Sequence, residues 1–222
     1  KGFVLVELPG ITHRWNYAAG VAVQQDGKVL VCGDFSREAC DEFPDAYVIR
    51  YDQDGKVDAS FGDKKNGVVT ITDSSRWLDL GSMTLKSDGG VVAVGTADHD
   101  GDREGLIVSL NPSGSFNLVF NNGKPLFSSF TEHGVSWRRC VLQTDGKLVF
   151  SGQGGGALVN ENSSVVTARY KSDGSQDVKF AGKGWAVFNS ESGIDMFRGC
   201  AVMADNRVVV SGYVSFAPPP LQ

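Results

Sequence analysis

Three observations predict an all-β fold. Glycine is frequent, at 28 of 222 residues, while proline is only 7, a balance that suits many short strands joined by tight turns. A block of alternating apolar residues around a turn aspartate recurs at Asp26, Asp88, Asp145 and Asp205, with intervals of 62, 57 and 60 residues. A second block, built on another Asp-Gly pair and ending on an aromatic, returns in phase with the first. Self-similarity at a fixed period of this length is the signature of a repeat architecture.

The first block reads Val21-Ala-Val-Gln-Gln-Asp26-Gly27-Lys28-Val-Leu-Val-Cys-Gly33 and returns over Met83–Gly95, Cys140–Gly152 and Cys200–Gly212. Asp-Gly between two apolar runs signals a two-residue hairpin turn, because both residues tolerate positive φ. Val21–Gln24 and Val29–Val31 are therefore predicted to pair as first and second strands. Third strands follow at Tyr47–Tyr51, Leu106–Leu110 and Val165–Tyr170. The second block, Arg50-Tyr51 through Asp54-Gly55, Asp58 and Phe61-Gly62, returns at Arg169–Phe180 and in altered form at Ser109–Asn121. It turns the chain into fourth strands at Val68–Thr72, Leu126–Phe130 and Trp185–Phe188.

Four antiparallel strands per unit, apolar on both faces, need cover on both sides. Packing successive units face to face around a ring supplies it, and closing the ring leaves only short edges. The predicted fold is a β-propeller of four-stranded antiparallel blades forming one domain over 1–222. The repeats run approximately 9–72, 73–130, 131–189 and 190–222, with 3–8 as the last strand of a preceding blade. That assignment rests on the likeness of Lys1–Val6 to Lys183–Phe188, and it gives fifteen strands, about 3.75 blades. The chain is then either part of a larger propeller, completed by further residues or a second chain, or a four-bladed ring. Lys1 in place of an initiator Met suggests a processed or partial chain.

Apolar-Gln-x-Asp-Gly-Lys-apolar-x-apolar-x-Gly followed by Arg-Tyr-x-x-Asp-Gly-x-x-Asp-x-x-Phe-Gly resembles the delta-60 repeat, a β-propeller repeat found mainly in bacterial proteins. The resemblance spans almost the whole chain and implies a fold far more than a function. The second copy departs from it at Gly90, Leu110 and Asn121.

A net charge of −5 with no run of Lys or Arg gives no electrostatic footprint for nucleic acid. No apolar stretch is long enough for a membrane helix. No Ser-His-Asp order or Gly-x-Ser-x-Gly elbow is present, and His13, His99 and His133 are scattered. Binding is therefore expected on the long loops joining second and third strands, Asp34–Asp45, Thr96–Glu104 and Gln153–Ser164.

Asp34, Arg37, Glu38 and Asp41, with Glu42 and Asp45, form a charged loop that is either a binding surface or hydrated exterior. Cys32 and Cys40 bracket it and can form a disulfide in an oxidising compartment, whereas Cys140 and Cys200 occupy equivalent, packing positions. Asp98, Asp100 and Asp102 resemble a calcium loop, since three carboxylates offer hard oxygen ligands, although no Glu follows at its twelfth position. Trp15, Trp77, Trp137 and Phe197 precede each first block, either as sugar-stacking platforms or as packing between blades. The expectation is a non-catalytic binding module that is secreted, periplasmic or on the cell surface and recognises a protein or glycan. The alternatives are a hydrolase or lyase with its site at the central channel, and a structural part of a larger assembly.

Overall fold

A computed structural model describes residues 3–37, 43–130, 134–155, 163–190 and 194–215. Its strands are β1 (His13–Val23), β2 (Val29–Arg37), β3 (Asp45–Tyr51), β4 (Val68–Ile71), β5 (Trp77–Leu85), β6 (Val91–His99) and β7 (Asp102–Leu110). They continue as β8 (Leu126–Ser128), β9 (Val135–Leu142), β10 (Leu148–Gly154), β11 (Ser164–Tyr170), β12 (Trp185–Phe188), β13 (Ile194–Val202) and β14 (Val208–Ser215). Each run of four pairs in chain order as an antiparallel sheet, β1–β4, β5–β8 and β9–β12, while β13 and β14 form a two-stranded sheet. These are three blades and the inner half of a fourth, and they do not close into a ring.

The turn after each first strand differs from the predicted two-residue type. Gly27 N–H donates to the Gln24 carbonyl at 2.9 Å and Gln24 N–H to the Lys28 carbonyl at 2.8 Å, so three residues lie between the last paired ones. Only Gly27 has positive φ, at 79°. Asp26 instead accepts from the Lys28 N–H at 3.2 Å, so the Asp-Gly signature encodes an Asx-stabilised turn ending in a left-handed glycine. The preceding glutamine has its own reason. Gln24 Nε2 donates to the Gly89 carbonyl at 2.8 Å, and Gln143 Nε2 to the Asn206 carbonyl at 2.6 Å, each joining one blade's turn to the next.

The second block is likewise a link between blades. Phe61 and Phe120 are buried, each beneath the turn glycine of the following blade, Gly114 and Gly174, where an added Cβ would approach the ring. The residue after each phenylalanine is left-handed, and its N–H reaches that same turn. Gly62 N–H donates to the Ser113 carbonyl at 2.8 Å and Asn121 N–H to the Asp173 carbonyl at 3.1 Å. Asn121, at φ 46°, thus replaces the glycine of the repeat with a side chain that tolerates this conformation.

Apolar cores lie mainly between blades. Leu30, Cys32, Val48 and Val69 pack with Leu78, Leu80, Val91 and Leu106. The next interface joins Val94 and Ile107 to Trp137, Phe150 and Val166. A third cluster, Phe35, Tyr47, Ile49 and Val68, is covered by Val6, Leu8 and Ile11. Residues 3–8 form no strand, contrary to the sequence expectation. The segment lies across blade one instead, held by Leu8 and by Asn16 Nδ2 donating to the Val6 carbonyl at 3.3 Å.

Two of the expected loops shrink where the structure describes them. Thr96–Asp98 and Asp102–Glu104 belong to β6 and β7, which meet in a two-residue turn at Asp100 and Gly101, with φ of 52° and 92°. Asp34 lies within β2 and Asp45 begins β3, both buried rather than on a loop. The cysteine expectation divides the same way. Cys32 is a free thiol whose Sγ faces the Leu80 carbonyl at 3.8 Å across the first interface, not a disulfide partner, while Cys40 lies outside the described residues. Cys140 and Cys200 are also free, and burial raises all three thiol pKa values, that of Cys32 to about 12.

Candidate functional site at the central channel

One irregularity recurs in every blade. The register of the first strand against the second slips between Ala18 and Gly20, Leu80 and Ser82, Trp137 and Arg139, and Phe197 and Gly199. The unpaired residues are Ala19, Gly81, Arg138 and Arg198, each seven positions before its turn aspartate. A bulge of this kind bends the strand and re-aims a side chain. It also carries a backbone carbonyl over the facing strand. A Cβ on Gly33, Gly95, Gly152 or Gly212 would overlap the carbonyl of Tyr17, Asp79, Ser136 or Met196 respectively, which is why every first block ends in glycine.

The four bulges meet at a cavity of about 470 Å³. Blades one and two contribute Tyr17, Ala19, Asp34, Asp79, Leu80 and Gly81. The third blade and the half-blade contribute Arg138, Arg139, Gln153, Met196, Phe197 and Arg198. Asp34 and Gln153 stand eight positions after their turn aspartates, close to the hairpins joining second and third strands. The cavity therefore opens on the face where the loops were expected to bind.

Its two halves differ in charge. Burial, reinforced by the Asp79 carboxylate, raises the Asp34 pKa to about 6. Burial also raises Asp79, opposed by the Arg138 charge and by the Thr96 N–H, which donates to Asp79 Oδ1 at 3.0 Å. Opposite them, Arg138, Arg139 and Arg198 form no ion pair with any described residue. Arg139 Nη1 donates to the Arg138 carbonyl at 3.0 Å, and Arg198 Nη2 to the Tyr213 hydroxyl at 3.3 Å. Gln153 is held by the Phe197 N–H, which donates to its Oε1 at 3.1 Å.

Of the residues that the sequence offered for binding or stacking, Asp34 and Phe197 line this cavity. Arg37 ends β2, its side chain lies outside the described part, and Glu38, Asp41, Glu42 and His133 lie outside the described residues. The tryptophan series is not one series. Trp15 and Trp77 stand eleven positions before their turn aspartates, Trp137 and Phe197 eight before theirs. Trp137 is fully buried, its Nε1 donating to Ser128 Oγ at 3.1 Å and its ring 6.0 Å from that of Phe150. It is core rather than a stacking platform. Trp15 and Trp77 are part exposed, at 38% and 49%.

The structure does not bring the three calcium candidates together. Asp98 faces Arg103 and Asp102 faces His99 across the β6–β7 hairpin, so their side chains leave opposite faces of the sheet. Asp98 is committed to Arg103 Nε at 2.9 Å and to the Gly101 N–H at 2.9 Å. Among the described residues no group of three or more His, Cys, Asp or Glu is placed to hold a metal.

Asp79, Arg138, Arg139, Gln153 and Arg198 were not singled out from the sequence. The signal for Arg138 and Arg198 was a shared offset, seven positions before the turn aspartate, visible once the repeats are aligned. Its meaning depends on a bulge that local sequence does not announce.

Four-stranded antiparallel blades packed face to face, with their innermost strands lining a channel, define a β-propeller repeat protein. The model of a family described as a domain of unknown function (DUF5122) beta-propeller matches residues 24–61 and 143–180. Both segments start at the glutamine of the first turn and end at the phenylalanine of the second block, in blades one and three. No curated protein matches the chain. No helix among the described residues is long and apolar enough to cross a membrane.

Proposed function

We propose that this chain is a non-catalytic binding module acting outside the cytoplasm, which takes a protein or glycan ligand at the mouth of the central channel. The observation that carries this reading is the meeting of polar side chains from every blade, Asp34, Asp79, Arg138 and Arg198, in one open cavity. Concave sites of this volume where polar groups converge are the usual places of small-ligand recognition. Gly81 offers a direct test. A Cβ there meets nothing within 4 Å, so Gly81→Trp fills the channel without forcing the backbone. Glycan-array and pull-down ligands of the native chain are expected to be lost by this variant, and ligands retained unchanged would refute a channel site.

A second reading, a hydrolase or lyase, is favoured by one specific feature. Asp34 and Asp79 share the cavity, both with raised pKa values, the condition under which one carboxyl is held protonated as an acid beside another. Turnover of a glycan that Asp34→Asn and Asp79→Asn each abolish would establish it over the binding module.

A third reading, a structural part of a larger assembly, draws on β14. Among the described residues this strand pairs only with β13, beside an apolar hollow of about 700 Å³ lined by Val165, Val187, Phe188, Val208, Val210 and Tyr213. Second strands in the other blades have a third strand along that edge. Native mass spectrometry showing only a monomer, with β14 amides protected from exchange, would remove the support for this reading.

A further inference from the structure

We propose that the channel selects an anionic sugar, a uronate or a sugar phosphate, whose oxyanion is held by Arg138 and Arg198 and whose hydroxyls are held by Asp34 and Asp79. This rests on the channel reading above and narrows it to a ligand class.

The bulge is where each blade aims a side chain toward the axis, and the four blades use it unequally. Blades one and two place Ala19 and Gly81 there, and blade three and the half-blade place Arg138 and Arg198. The small residues leave room there, and Asp34 and Asp79 are the acidic residues among those lining the cavity. The arginines fill the other side, with Arg139 beside them. The channel is thus divided into an acceptor half and a donor half by the residues at one repeat position.

Among the described residues most of the donor half is unspent. A guanidinium carries five N–H groups in a fixed fork that matches carboxylate and phosphate. Arg198 uses one donor on the Tyr213 hydroxyl and lies 5.0 Å from the centre of that ring, an arrangement that orients it without neutralising it. Arg139 spends one on a backbone carbonyl. None of the three meets a described carboxylate within ion-pair distance, in a chain whose net charge is −5. Acidic residues are in excess over basic ones in the chain, so arginines grouped where the blades converge, and unpaired among the described residues, favour an anion supplied from outside.

The acceptor half says what else that ligand carries. Ionised carboxylates accept but do not donate, and adjacent sugar hydroxyls are donors that suit them. Met196 and Phe197 add apolar surface to the same cavity, where the C–H face of a sugar ring packs. A bare anion would leave Asp34 and Asp79 facing its charge, and a neutral sugar would leave Arg139 and Arg198 without a carboxylate partner among the described residues, Arg138 alone being close enough to act on Asp79.

The test is titration of the full chain with four probes, D-glucuronate, glucose 6-phosphate, D-glucose and inorganic phosphate, followed by NMR of backbone and arginine Nε–H resonances. Either acidic sugar is expected to bind with shifts at Arg138 and Arg198, and which of them binds tighter separates carboxylate from phosphate. Glucose and inorganic phosphate are expected to bind at least about tenfold more weakly, as are the acidic sugars to Arg138→Gln and Arg198→Gln, the loss for one charge-assisted fork. These side chains are exposed, and thermal melting of each variant verifies its fold.

Glucose binding as well as the acids, with no effect of the arginine variants but loss in Gly81→Trp, would overturn the anionic ligand and leave the channel standing. Inorganic phosphate binding as well as the sugar phosphate would overturn the role of the two carboxylates. Binding that survives Gly81→Trp would overturn the channel site itself. Absence of binding by both acidic sugars to the folded chain would overturn the ligand class.

Discussion

The carbonyl oxygen of Tyr17 occupies the space that a Cβ on Gly33 would need. The same relation holds for Asp79 with Gly95, Ser136 with Gly152 and Met196 with Gly212. A contact this close is with backbone and cannot be relieved by a rotamer change. Gly33→Ala or Gly152→Ala is therefore expected to lower stability by about 2–3 kcal/mol or more, as overpacking does. Gly81→Ala, whose Cβ enters open space, is expected to be neutral or slightly stabilising. Urea unfolding of the three variants checks the contrast.

A second device links charge to stability. Asp58 Oδ2 accepts from Arg50 Nε at 2.9 Å and meets Lys28 Nζ at 3.0 Å, and Asp177 repeats this with Arg169 at 2.9 Å and Lys147 at 3.8 Å. Burial opposes ionisation of both, but hydrogen bonds and cations outweigh it and hold both carboxyls below the usual range. A lowered folded pKa contributes stability that is present above the unfolded value of about 4 and is lost as pH falls through the folded one. Asp177→Asn is expected to cost about 2 kcal/mol at pH 7, and less at pH 2.

Blade two dispenses with this device as a unit. Gly90, Ser109 and Asn117 stand where the other blades have Lys, Arg and Asp, and Asn117 Nδ2 reaches Ser109 Oγ at 3.4 Å. Asn117→Asp alone places a carboxylate without its cations, so it is expected to destabilise the chain by about 1–2 kcal/mol at pH 7. Melting curves at pH 7 and pH 3 check this, with the penalty fading as the new carboxyl is protonated.

Asp34 gives the opposite pH dependence. Its folded pKa, raised to about 6 by burial and by Asp79, makes the ionised form a burden on the fold, so its contribution worsens as pH rises from about 4 to 6. Asp34→Asn is expected to be more stable than the native chain at pH 7, by about 1 kcal/mol after allowing for solvent in the open channel. The gain should vanish near pH 4, as denaturant titrations at the two pH values will show.

Calcium provides a further check on the β6–β7 hairpin. Because Asp98 is paired with Arg103 and Asp102 leaves the other face, millimolar calcium is expected to leave Tm where chelator leaves it. A ligand in large excess over its Kd would raise stability by several kcal/mol, so a rise of several degrees that Asp98→Asn removes would contradict the geometry.

The repeat, the four-stranded blade and its strand order were legible from the residues alone, because alternation and turn residues act over a few neighbours and recur at a fixed interval. Glutamine and glycine in Val21–Gly33, and phenylalanine in Arg50–Gly62, were legible as landmarks before their reasons were known. Those reasons lie in contacts between blades and, for the glycine, between paired strands. Gln24 reaches another blade, Phe61 lies under another blade's turn, and Gly33 yields to a bulged carbonyl. Trp137 and Trp15 differ in their offset from the turn aspartate, eight against eleven, and packing makes the first core and leaves the second part exposed. A site at the central channel was an alternative open from the sequence, but most of the residues that line it were not legible there, for a related reason. A bulge breaks the two-residue period on which strand reading depends, and it gathers Ala19, Gly81, Arg138 and Arg198 from positions far apart in the chain, so that only packing blade against blade makes them neighbours.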